Sequence, residues 1–360
     1  MPPAPRPIAI RMLGAELRIA ADPRAGRLVE LLERDLGMFF LPGADAGPAE
    51  FEASFASAAP VLRTPAGDVE LARDDPEGHA AGIVFRELLD RVDRFVVLHA
   101  AAVEHAGRAF LVAGPTGSGK TTLALALVER GLRLLSDDFA PLERGGRRIH
   151  PFPKSLGVRG GAAAQLADRV AQVRGEDLAL GAGRWTLAPA PLGGIVFFNG
   201  LDAAPAPLAP YRFAIATAHD PAPLVRELAR LDGVSVIERG ERSLVAAIDP
   251  ARARGAAIQD ALARSAALVL DYGVAGAPPP PGREPRLLPI APSAALVLLV
   301  REVQNRRPGG RLLQTLGGDA AALAAEIAPA IAGVPLAWLV TGEPRASAEL
   351  LEREFSRWSA

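Results

Sequence analysis

The chain contains no cysteine. Disulfides, thiol nucleophiles and cysteine-ligated zinc are thereby excluded, and the redox compartment is left undetermined. Long apolar runs are missing too. The longest, Ala294–Val300, is far short of the ~20 residues that span a bilayer. The opening MPPAPRPIAIRML lacks the apolar stretch of a secretory signal. Neither sign of charge dominates: 40 basic and 41 acidic residues leave a formal net charge of -1. That balance gives no electrostatic reason to expect nucleic acid or an anionic membrane as partner. A soluble cytoplasmic protein is the expectation. At 360 residues and 49% hydrophobic, the chain can build two or three domains with real cores.

Lysine is nearly absent. Only Lys120 and Lys154 stand among the 40 basic residues, and arginine fills the other places. A lysine offers a compact ammonium on a flexible stem, whereas a guanidinium is a planar fork. A retained lysine therefore marks a place where the fork does not serve, or else a survival by drift. Lys120 has its reason in the motif that follows. For Lys154, a second phosphate contact and drift both stand.

Gly114-Pro115-Thr116-Gly117-Ser118-Gly119-Lys120-Thr121 fits G-x-x-x-x-G-K-[ST], the phosphate-binding loop. The motif has meaning only between a strand and a helix. Ala109–Ala113 (AFLVA) is apolar and of strand length, and Thr122–Arg130 is rich in helix formers and stops at Gly131, a natural C-cap. The glycines let backbone N–H groups turn toward a polyphosphate, and the helix N-terminus that begins around Thr121 and Thr122 adds positive potential. Lys120 is expected to reach the β- and γ-phosphates, and the Thr121 hydroxyl to sit on Mg²⁺.

After the helix comes a short strand, Leu132–Ser136, that ends in Asp137-Asp138. Beside a nucleotide, one such carboxylate can bind the metal and the other can accept a proton from an attacking hydroxyl. Before the loop stands His99, which either orients and tunes one of the acids or serves as a satisfied core histidine.

His99, the loop, Glu129-Arg130-Gly131 and Leu135-Ser136-Asp137-Asp138 together resemble the catalytic domain of the bacterial HPr serine kinase/phosphorylase. They are still more similar to the HPr-kinase-related proteins found beside peptide-modification genes. The resemblance covers Leu98–Ala140. It implies ATP- and Mg²⁺-dependent phosphorylation of a hydroxyl, serine for preference, on a peptide or protein. It implies Asp137 as general base; adjacent side chains on a strand end point to opposite sides, so Asp138 is expected to serve the metal, beside Thr121. The chain departs from the HPr enzyme downstream of the acid pair: the enzyme's longer Glu-Arg-Gly-containing signature with its metal-binding Glu has no counterpart, and the Glu143-Arg144-Gly145 that stands there falls in an expected hairpin over Leu142–Ile149. The nearest text, Pro151–Arg159, opens with a Pro-x-Pro that resembles the related kinases, so HPr as substrate and a phosphorylase step are not implied. Within Pro151–Gly161, Lys154 and Arg159 supply positive charge and Gly157, Gly160 and Gly161 permit close approach to a ligand.

The expected fold is α/β, a P-loop kinase core of the HPr kinase C-terminal-domain type. Residues 1–80 read as a small α/β lead-in with a hairpin around Gly14. Residues 81–210 hold the core, in which 162–190 could form a lid with a helix over 163–173. Residues 211–273 run βαββαβ, either a ferredoxin-like insertion or an extension of the main sheet. Beyond the AGAPPPP linker, 274–360 complete the kinase domain, beginning with a helix over Ser293–Asn305. Arg306, Arg307 and Arg311 then form a polar turn, either near a phosphate or solvated. The strand Gly194–Phe198 carries no acid, and no LSGGQ or NKxD occurs, which argues against ABC, AAA and GTPase readings. A small-molecule kinase and an ATP-hydrolysing regulator remain alternatives, and the chain could act alone or as a homo-oligomer.

Overall fold

A computed structural model describes residues 7–22, 25–41, 48–55, 60–72, 75–115, 118–154, 156–158, 171–173, 183–198, 209–217, 220–265, 269–274, 283–307 and 309–360. Thr116, Gly117 and Arg159 lie outside these residues, as do Gly160, Gly161, most of the expected lid and the proline linker. Among the described residues no helix is long and apolar enough to cross a membrane. The structure is mixed α/β with several sheets, and it divides into two compact units.

The unit formed by the described residues of 95–211, 273–305 and 315–360 carries the loop. Its sheet is built around three parallel strands, Arg108–Ala113, Ala190–Phe197 and Leu336–Val340. Parallel strands covered on both faces read as continuous apolar runs, and FLVA, IVF and AWLV are such runs, buried throughout. Ala100–His105 and then Arg133–Ser136 extend the sheet on one side by antiparallel pairing, and Arg286–Pro289 closes the other. An antiparallel group, Phe95–Leu98, Ala140–Glu143 and Arg148–Ile149, joins at the start of Ala190–Phe197.

The loop helix Lys120–Glu129 packs on this sheet beside the last helix, Pro344–Ser359. The loop helix begins after Gly119 and is followed by Gly131, both at φ +100, a left-handed conformation that glycine adopts at little cost. The last helix buries Ser347, Ala348, Leu351 and Phe355, a single stripe at helical spacing. Phe355 stacks on Phe110 of the sheet with ring centroids 4.2 Å apart. Trp358 lies so close to Gly194 that a Cβ there would stand 2.5 Å from its ring, so only glycine lets this helix seat.

Two sequence expectations fail here for tertiary reasons. Residues 171–173 form a strand paired with Leu156–Val158, not the end of a helix. The helix expected to reach Asn305 stops at Arg301, because the next four residues bond to another strand.

The second unit comprises the described residues of 1–94, 212–272 and 306–314. A five-stranded sheet runs in sequence order from Pro7–Met12 to Gly67–Glu70. Its first hairpin turns through Leu13 and Gly14 at φ 52 and φ 86, the paired positive values of a type I′ turn. The helix Pro76–Asp90 is capped by Asp75, whose carboxylate accepts from Gly78 N at 3.1 Å. A separate four-stranded sheet is ordered Val234–Arg239, Ser243–Ile248, Tyr211–Thr217, Val269–Val274, with helices Ala222–Leu228 and Gly255–Arg264 between strands in the chain. Arg307 is committed here rather than to solvent: it donates to Asp90 Oδ2 at 3.3 Å and to the Tyr272 hydroxyl at 3.2 Å.

Candidate active site

The site lies where two long antiparallel strands break at the same level. Phe95–Leu98 and Ala100–His105 are one run interrupted at His99. Opposite, Arg133–Ser136 and Ala140–Glu143 are interrupted at residues 137–139. The register brackets the gap, with Ala102 facing Ser136 and Leu98 facing Ala140. His99 and the acid pair therefore leave the ladder together, at the end of the sheet where the loop emerges. Ser136 ties off the acidic turn: its hydroxyl donates to Phe139 O and accepts from Phe139 N at 3.2 Å.

Gly114 leaves the sheet beneath Phe198, where a Cβ would stand 2.2 Å from the Phe198 carbonyl oxygen. Only glycine lets the loop start at that depth. The Ser118 hydroxyl is buried without a hydrogen-bond partner among the described residues. Lys120 is buried, its Nζ 3.3 Å from Pro115 O and 3.0 Å from His99 Nε2. Thr121 acts on the Asp137 carboxyl and lowers its proton affinity, and Thr122 is exposed on the first turn.

His99 Nε2 lies 3.0 Å from Asp138 Oδ1, and His99 Nδ1 lies 3.0 Å from Glu302 Oε2. Lys154 arrives from the other side. Phe152 bridges to Ser136, and Lys154 Nζ then lies 3.7 Å from Asp138 Oδ2 and 5.2 Å above the Phe139 ring. The structure thus gathers His99, Lys120, Thr121, Asp137, Asp138 and Lys154, six residues named from sequence. Glu302 carried no sequence signal, since it is 203 positions from its partner.

The charges are sorted by environment. Burial raises the Asp137 carboxyl, and the neighbouring Asp138 charge adds to it, to about 6 against the pull of Thr121 and the two lysines. Burial acts the same way on Asp138, but His99 and the lysines outweigh it and hold that carboxyl far below the usual range. Burial and Lys120 push His99 down, yet the Asp138 and Glu302 carboxylates prevail and raise it to about 9. One acid is therefore poised to take a proton near neutrality while its neighbour stays ionised.

Among the described residues no group of three or more His, Asp or Glu side chains could hold a metal by itself. Mg²⁺ does not need one, since it keeps several waters and binds through one or two carboxylates plus substrate phosphates. The Thr121 hydroxyl and the acid pair are hard oxygen donors at the mouth of the loop. Asp137 Oδ1 is moreover buried without a hydrogen-bond partner among the described residues. That oxygen set fits Mg²⁺.

No protein-family model matches the chain, and no curated protein matches it. Among solved structures it is similar to the Hpr(Ser) kinase/phosphatase from Coxiella burnetii, at 20% identity over 34% of this chain and 75% of that one, with a TM-score of 0.21. The functional reading accordingly rests on the site's own geometry.

Proposed function

We propose that this protein is an HPr-kinase-like P-loop kinase that transfers the γ-phosphate of ATP to a serine hydroxyl of a peptide or protein. The observation that carries the reading is the convergence, at one end of the loop, of two lysines and a pair of carboxylates with opposed proton affinities. Lys120 and the loop backbone bind the polyphosphate; Thr121 and Asp138 would hold Mg²⁺, which would supply charge neutralisation there. Asp137 accepts the serine proton as the serine oxygen bonds to phosphorus and the bond to ADP breaks. Asp138 stays ionised between His99 and Lys154.

The same proposal takes residues 81–210 and 274–360 as kinase domain, 1–80 as lead-in and 211–273 as a ferredoxin-like insertion. It places the protein in the cytoplasm with no nucleic-acid or membrane partner. Incubation with labelled ATP, Mg²⁺ and candidate peptides, followed by phosphoserine mapping, tests it. Label appearing only in a metabolite would make it a small-molecule kinase, and release of phosphate with no acceptor would make it a hydrolase.

A further inference from the structure

We infer that Glu302 is a positioning residue that fixes the imidazole of His99 against Asp138 and Lys120. This deepens the kinase reading and rests on it for its catalytic consequence. The helix Pro292–Arg301 seats Ala295 and Leu299 in the core, and the four residues after it lie along the edge of Phe95–Leu98. There the His99 N–H donates to Glu302 O at 2.7 Å and the Gln304 N–H to Val97 O at 2.8 Å. Asn305, fully buried, accepts from Val97 N at 3.0 Å and donates from Nδ2 to Phe95 O at 2.9 Å. Leu98 and Val303 form an antiparallel bridge between these bonds. The segment behaves as a strap that stands in for a missing neighbour strand.

The strap accounts for its own attachment without the Glu302 carboxylate. Main-chain groups and Asn305 already satisfy the strand edge. A carboxylate left 9% exposed carries a desolvation cost, and what it gains is the bond to His99 Nδ1. That bond has a geometric consequence. An imidazole turns about two torsions, and its ring has a near-degenerate flipped orientation. With Nδ1 tied to Glu302, and both backbones tied to each other, Nε2 has one place to go, which is 3.0 Å from both Asp138 Oδ1 and Lys120 Nζ. Glu302 thereby sets the heading of a side chain that holds the ionised acid and meets the loop lysine.

The test uses the full chain with Glu302→Gln and Glu302→Asp. Glutamine keeps an acceptor at the same reach, whereas aspartate withdraws it by one methylene. In ¹⁵N-histidine-labelled protein, the solvent-shielded Nδ1–H signal of His99, assigned with His99→Gln, is expected to persist in Glu302→Gln and vanish in Glu302→Asp. Mg·ATP affinity by calorimetry is expected to hold in both, which also reports that both fold. Transfer is expected to fall about 10²-fold in Glu302→Asp, the scale of a ~1 Å misplacement, and by less in Glu302→Gln. Identical behaviour of the two variants in the imidazole signal, kept or lost, overturns the inference. Failure of the wild-type chain to phosphorylate any acceptor would instead overturn the kinase reading, while the imidazole signal still decides the role of Glu302.

Discussion

Lys154 Nζ lies 3.7 Å from Asp138 Oδ2, which joins one of the chain's two lysines to the acid pair that follows the loop helix. The side chain is held from below by the Phe139 ring, a cation–π contact that an ammonium makes end-on. A guanidinium is a planar fork, not a compact ammonium, and does not reproduce this end-on approach to ring and carboxylate. Lys154→Arg is therefore expected to behave like Lys154→Ala, and each should lower phosphate transfer by about 10²-fold, the usual loss for one charge-stabilising donor. Steady-state transfer rates decide it. Full activity in Lys154→Arg would mean that arginine's absence here is drift.

Lys120 begins the loop helix and is buried against Pro115 O and His99. Its replacement by alanine removes a charge-assisted hydrogen bond to the polyphosphate, a loss of about 1.5–3 kcal/mol, or roughly 10- to 100-fold in affinity. Calorimetric titration with Mg·ATP should show this. Unchanged affinity would remove the nucleotide from the reading altogether.

The acid pair separates into two phenotypes. Asp137→Asn should leave Mg·ATP binding in place and cost about 10²- to 10⁴-fold in transfer, the worth of a general base. Asp138→Asn should raise the Mg²⁺ concentration needed for half-maximal rate and release His99 and Lys154 from their shared partner. The contact between Thr121 and Asp137 makes the converse a sharp alternative. If Asp137→Asn loses metal dependence and Asp138→Asn loses only turnover, the two roles are exchanged.

The raised proton affinity of Asp137 has consequences for rate and for stability, with opposite signs. As a base it must be ionised, so transfer should rise with pH through about 6 and flatten above it. For folding, a carboxyl that binds its proton more tightly in the native chain favours the native state at acid pH. That contribution is lost as pH rises from the unfolded value of roughly 4 to the folded value of about 6. Without Mg²⁺ and nucleotide, Asp137→Asn should therefore gain on wild type across that window by up to about 3 kcal/mol, measured as the difference in urea unfolding free energy at pH 4 and pH 7. A difference that stays flat between these pH values would show that Asp137 ionises normally.

Much of this site was legible because its signals are local. The loop and its flanking strand and helix are contiguous, the acid pair ends the next strand, and Lys154 stood out against a background of arginine. The type I′ hairpin at Gly14 announced itself in the same way, through alternating apolar residues around a glycine. What could not be read depends on pairing across the chain. Glu302 and Asn305 look like the last turn of an amphipathic helix, and only the unsatisfied edge of Phe95–Leu98 draws them out of it. Leu156–Val158 and residues 171–173 likewise become strands by pairing with each other. From sequence Arg307 reads as a solvated charge or a phosphate contact, but Asp90 and Tyr272, both distant in the chain, take it.

The helix that carries Lys120 is complete at Glu129, yet it packs beside the helix Pro344–Ser359. A ribosome adding ~5–20 residues per second takes about 10–45 s to travel from one to the other. Throughout that interval Leu123, Leu127 and Val128 lack part of their native cover, and the strand Ala190–Phe197 waits for Leu336–Val340. Chain order thus acts as a timer. The glycine-rich loop is made early, and the core behind it closes only when the helix Pro344–Ser359 has been made, so a nascent chain presents sticky apolar surface well before the proposed site is finished.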